Sequence, residues 1–124
     1  MFGAPMVVEF TSVAADVRDA IAVVLADMDL EVRWSSLTAV DGEYIFRSAR
    51  QQKMKITYQA LLSTSTRVEI YSATDERTLE QLVLAALERK LGVAATYVSR
   101  APYQRLQPAV AFRLASVRSA STPL

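Results

Sequence analysis

An α+β fold is predicted, with an antiparallel sheet of four to five strands and two helices packed on one face. Three observations predict it. Two stretches place apolar residues at the three-and-four spacing of a helix. Several others alternate apolar and polar residues with the period of a half-buried strand. Their order is strand, helix, four strands, helix (β-α-β-β-β-β-α), followed by a tail. An antiparallel meander with both helices on one face buries every apolar stripe.

Met6 to Phe10 is apolar with Glu9 as its only charge, and reads as the first strand. Thr11 and Ser12 offer N-cap oxygens. Val13, Val17, Ile21, Val24, Leu25 and Met28 then recur at helical spacing, with Asp16 and Asp19 near the positive end of that helix. Leu30, Val32 and Trp34 alternate with Glu31, Arg33 and Ser35 as a strand. Asp41-Gly42 predicts a type I′ hairpin turn joining Leu37–Val40 to Glu43–Ser48. Arg50 to Lys53 is a polar connection. Met54, Ile56, Tyr58, Ala60 and Leu62 alternate with Lys55, Thr57, Gln59 and Leu61, and Ser63 to Ser65 turns the chain into a strand carrying Val68 and Ile70. Thr74 or Asp75 caps the second helix. Its stripe is Leu79, Leu82, Val83, Ala86, Leu87 and Leu91, with Arg89 and Lys90 at its negative end and Gly92 at the C′ position. This predicts one domain over residues 1–92. Residues 93–124 read as a basic, proline-containing tail. Tyr97 and Val98 offer an edge strand, Pro102 and Pro108 interrupt the tail, and Pro108 suits the first position of a short helix to Val117.

Composition removes most catalytic tools. The 124 residues contain no cysteine and no histidine, so there is no thiolate nucleophile, no imidazole base and no usual soft-metal ligand. The three glycines, Gly3, Gly42 and Gly92, are too dispersed for a phosphate-cradling loop. No apolar run is long enough to span a bilayer. Met1 to Val8 lacks the charged and apolar regions of a signal peptide, which predicts a cytoplasmic protein. No enzyme activity, cofactor or metal is expected.

Charge is divided along the chain. Residues 1–88 hold eight Lys/Arg and all thirteen Asp/Glu, a balance of −5. Residues 89–124 hold six Lys/Arg and no acid, a balance of +6. An acidic body thus precedes a basic tail.

Four stretches carry a family resemblance. They are VRDAIAVVLADMDLEVRW (Val17 to Trp34), KMKITYQAL (Lys53 to Leu61), RVEIYSATD (Arg67 to Asp75) and LEQLVLAALERKL (Leu79 to Leu91). Read in this order, from about Met6 to Gly92, the chain resembles the kinase-associated domain one family. It looks most like the C-terminal regulatory domain of the AMP-activated protein kinase catalytic subunit. Two features depart from the family: the chain has no kinase catalytic signature, and no Ser/Thr-rich insertion separates Ser72 from the last helix. Residues 93–124 have no counterpart there. The chain also resembles small bacterial domains of unknown function with the same element order. The resemblance implies a regulatory or scaffolding domain that binds a protein partner, a kinase or the subunits of a complex. Acidic phospholipid is a second surface that the family's members bind.

Arg47, Arg50, Lys53 and Lys55 put four cations in nine residues with no acid among them. Such a run suits an anionic membrane surface, at about 1 kcal/mol per cation near the bilayer. A solvated sheet face is its ordinary reading. Arg100, Tyr103, Arg105, Phe112, Arg113 and Arg118 mix cations with aromatics in the tail. That mixture suits a partner groove, the acidic body of the same domain, or anchorage in a larger assembly. Single-stranded nucleic acid is disfavoured because no RNP-type strand accompanies it. Arg113 to Ser116 also matches a short basophilic phosphorylation pattern. Asp27, Asp29 and Glu31 lack the ligand number and turn glycine of a calcium loop. Ser63 to Thr66 reads as a turn with no base to activate a hydroxyl. Trp34, Tyr44, Phe46 and Tyr58 read as core.

Overall fold

A computed structural model describes residues 2–72 and 77–99. The elements are β1 (Met6–Phe10), α1 (Ala14–Asp27), β2 (Glu31–Leu37), β3 (Asp41–Arg47), β4 (Lys53–Leu62), β5 (Ser65–Ser72), α2 (Arg77–Leu91) and β6 (Thr96–Ser99). The α+β class and the antiparallel sheet with two helices are as expected. The sheet has six strands rather than four to five, in the order β2-β3-β4-β5-β1-β6. The sixth strand comes from residues 96–99 of the tail, where Tyr97 and Val98 form the edge strand that the sequence offered. They pair with β1, Thr96 opposite Glu9 and Tyr97 opposite Val8, while Val93 and Ala95 pack on the core.

The strands alternate as half-buried strands should. Met6, Val8 and Phe10 of β1, Tyr44 and Phe46 of β3, Met54, Ile56 and Tyr58 of β4, and Val68 and Ile70 of β5 face the helices and are buried. From α1 the sheet receives Val17, Ile21, Val24 and Leu25, and from α2 it receives Val83, Leu84 and Leu87. The α2 stripe is rotated from the expected one. Leu82 is exposed, and Glu80 is buried with its carboxylate accepting a hydrogen bond from Ser72 Oγ at 2.9 Å. Glu80, Val83, Leu84 and Leu87 keep the helical spacing; an acid simply occupies one place in it.

The helix ends differ from expectation at one point. Val13, not Thr11 or Ser12, is the N-cap residue of α1, and it makes no side-chain cap bond. The Ser12 carbonyl instead accepts from Thr66 Oγ1 at 2.8 Å, which ties the entry of α1 to β5. At the other end Asp29 adopts φ 56°, with Leu30 N–H donating to Leu25 O and Asp29 N–H to Ala26 O. That is a Schellman closure, and it gives Asp29 a backbone role in place of a ligand role. Gly92, with φ 74°, closes α2 as expected. The Thr74 or Asp75 cap and the Pro108 helix lie outside the described residues.

Candidate interaction surface

The hairpin that begins the site does not turn where the sequence suggests. Asp41 and Gly42 are the first residues of β3, paired with Gln59 and Tyr58 of β4. The turn is made by Thr38, Ala39 and Val40, none of which has positive φ. Thr38 supplies the geometry. Its Oγ1 accepts from the N–H groups of Val40 and Asp41 and donates to Asp41, while its own N–H donates to Asp41 O at 2.8 Å. A threonine side chain thus stands in for the left-handed residues of a type I′ turn. Tyr58, buried beneath, donates from Oη to Thr38 O at 2.5 Å and joins the turn to the core.

β2 is one of the two edge strands of the sheet, and all seven of its residues are exposed. Its register with β3 shifts between Val32 and Trp34: Val32 lies opposite Phe46, and Trp34 lies opposite Ile45. Opposed residues share a face, and Phe46 and Ile45 lie on opposite faces. The bulge at Arg33 therefore sends Trp34 to the face away from the helices, with its side chain half exposed. Trp34 is not core, unlike Tyr44, Phe46 and Tyr58. Leu37 and Val40 are exposed beside it. The Thr38–Asp41 pair is hydrogen-bonded inward, so by alternation the N–H and C=O groups of Ser35 and Leu37 point outward from the sheet.

The sheet face away from the helices carries an open groove of about 360 Å³. Trp34 and Ser36 form its β2 side. Asp41, Glu43, Thr57 and Gln59 line the middle, and Arg67 and Glu69 line the far side. Arg67 Nη2 meets Glu9 Oε2 at 3.1 Å. Beyond the groove, Tyr71 Oη donates to Glu69 Oε1 at 2.5 Å. Lys55 Nζ sits 4.6 Å from the Tyr71 ring centroid, 5.4 Å from that of Phe2 and 3.9 Å from Glu43 Oε1.

The basic run divides between the two sides of the sheet. Arg47, Lys53 and Lys55 lie along one end of the open face, in cross-strand register. Arg47 Nη1 donates to Gln51 O at 3.0 Å, and Lys53 lies over the Phe2 ring at 5.7 Å. Arg50 lies in the β3–β4 turn, beside Leu79 and Leu82 of α2 in a second groove. That turn is organised by Ser48, whose Oγ accepts from the N–H groups of Arg50 and Gln52, and by Gln51 at φ 64°. Arg100, Tyr103, Arg105, Phe112, Arg113 and Arg118 lie outside the described residues. Sequence reasoning missed Phe2 as the ring beneath Lys53 and Lys55, since a lone N-terminal aromatic carries no periodic signal.

The Tyr71 phenol is pushed up to about 12, first by burial, then by its hydrogen bond to Glu69 and the negative charges of Glu69 and Glu43. The neutral phenol is the form the fold favours. Its contribution to stability is complete below the ordinary value of 10.0 and is lost as pH rises from there toward 12. Difference absorbance titration of the wild type against Tyr71→Phe should show this phenol ionising last, near pH 12. Glu69→Gln should lower its midpoint without restoring 10, because burial remains. A Tyr71 midpoint at 10 in the wild type would contradict the hydrogen-bonded geometry.

Among the described residues no helix is long and apolar enough to cross a membrane. No group of three or more acids is placed to hold a metal ion among them either. No protein-family model matches the chain, and a search of curated proteins finds no match.

Proposed function

We propose that this domain is a non-catalytic regulatory or scaffolding module that takes an extended segment of a partner protein onto the outer edge of β2. One observation carries the reading: a seven-residue edge strand, exposed throughout, directs the backbone groups of Ser35 and Leu37 outward. Unpaired strand edges are templates for strand addition. Main-chain bonds give the affinity and alternate side chains the specificity. Here Val32 and Leu37 flank the strand on one face and Trp34 and Ser36 on the other. Tyr58 and the Thr38 turn hold the strand in place from the core side.

The lack of histidine and cysteine supports a binding role over a catalytic one. The order β-α-β-β-β-β-α supports kinship with the kinase-associated regulatory domains, whose partners would be a kinase or the subunits of its complex. A small interaction domain anchored in a larger assembly through its basic tail is the alternative. Arg47, Lys53 and Lys55 at one end of the open face favour contact with an anionic phospholipid surface as a second, peripheral reading. Lys55 is already engaged by Glu43 and two rings, which favours the edge over the membrane.

Ser35→Pro tests the reading. It removes an outward donor while leaving the β2–β3 ladder intact, as proline on an edge strand does. Used as bait in an extract of the source cell, the full wild-type chain should retain a partner. The Ser35→Pro chain, with an unchanged circular dichroism spectrum, should lose about tenfold or more of it, which corresponds to about 1.4 kcal/mol. Equal capture by both would contradict the edge assignment.

A further inference from the structure

We propose that the groove on the open face of the sheet is occupied by the arginine-bearing C-terminal segment of the same chain, residues 100–124, with a guanidinium stacked on Trp34 and facing Glu43 and Glu69. This goes beyond the edge reading, because it uses the open face of the sheet and not the outer backbone of β2.

The charge and shape of the groove point to this occupant. Three carboxylates, Asp41, Glu43 and Glu69, line the groove against one guanidinium, Arg67, which is already held by Glu9 at 3.1 Å. Lys55 reaches Glu43 at 3.9 Å and Tyr71 donates to Glu69, yet the three acids still outnumber the cations beside them, so the groove presents net negative charge next to the half-exposed indole of Trp34. A carboxylate beside an aromatic face is the setting in which arginine binds well: its planar cation stacks on the ring and its fork of donors meets the acid. Residues 100–124 carry Arg100, Arg105, Arg113 and Arg118 and no acid.

The reach is ample. The described chain ends at Ser99 in β6, four strand spacings from β3, a distance of about 19 Å. The remaining stretch, Arg100 to Leu124, spans up to about 80 Å when extended. Tethering also raises the local concentration of these arginines at the groove to the order of millimolar, so individually weak contacts suffice. An untethered cationic partner competes at a disadvantage for the same site.

Trp34 is the only tryptophan in the chain, so its fluorescence reports the groove alone. The experiment compares acrylamide quenching of the full wild-type chain with that of a full chain carrying Arg100→Gln, Arg105→Gln, Arg113→Gln and Arg118→Gln. At low salt the wild-type quenching constant should be about half that of the variant, since a stacked guanidinium shields one face of the ring. In about 1 M salt, where the Debye length falls to about 3 Å, the two should converge. The double variant Glu43→Gln/Glu69→Gln should quench like the arginine variant at low salt. Identical quenching of the wild type and the arginine variant at low salt overturns the proposal. A difference that grows with protein concentration also overturns it, because it assigns the arginines to a neighbouring copy.

Discussion

Tyr58→Ala should destabilise the domain by about 3–5 kcal/mol, the usual loss when a buried ring is cut back to a methyl group. The side chain is 1% exposed. It fills the core from the middle of β4, and its hydroxyl donates to Thr38 O across the hairpin. The substitution removes packing and the hydrogen bond together, so the urea midpoint should fall sharply. Tyr58→Phe keeps the ring and should lose only about 0.5–1.5 kcal/mol, the net worth of one hydrogen bond. If Tyr58→Ala and Tyr58→Phe cost the same, the ring does not carry the packing described here.

Gly42→Ala should cost about 1–3 kcal/mol through overpacking in the extended strand β3. A Cβ at Gly42 would stand 2.6 Å from the carbonyl oxygen of Ser36, 2.8 Å from Tyr58 Oη and 2.9 Å from Tyr58 Cε1. Two of these three atoms belong to one side chain, so the costs of the two sites are coupled. In a Tyr58→Leu background the cost of Gly42→Ala should shrink. It should not vanish, because the Ser36 carbonyl belongs to the backbone of β2 and gives little. Strictly additive losses in the double variant would mean that the tyrosine does not set the glycine. The clash with Ser36 also shifts the edge strand, so Gly42→Ala should weaken partner capture as well as stability.

The parts of the fold written in periodic apolar residues were legible in the sequence. Val17, Ile21, Val24 and Leu25 specify the buried side of α1, and Met54, Ile56 and Tyr58 that of β4, because burial repeats with the period of the element. The parts governed by single side chains were not. Asp41-Gly42 has the composition of a tight turn, yet Thr38 turns the chain three residues earlier with its own hydroxyl, and Gly42 is kept small by Tyr58 instead. Trp34 continues the alternation of Leu30 and Val32, but one extra residue at Arg33 reverses its face. Alternation carries no mark of a bulge, so the pattern alone places the central aromatic of the site in the core. Thr11 and Ser12 have cap chemistry, but the Ser12 carbonyl is drawn to Thr66 and the helix begins after Val13. The cations of the basic run were found by composition. Only the register shows that Arg47, Lys53 and Lys55 share a face while Arg50 lies by α2.

The outward edge of β2 is tested most directly by amide hydrogen exchange on the full chain, alone and bound to the partner that the wild type captures. The Ser35 and Leu37 amides should exchange freely in the chain alone and become protected in the complex, while Ser36, bonded inward to β3, should change little. Protection that leaves Ser35 and Leu37 unchanged and appears on α1, α2 or β6 would contradict it.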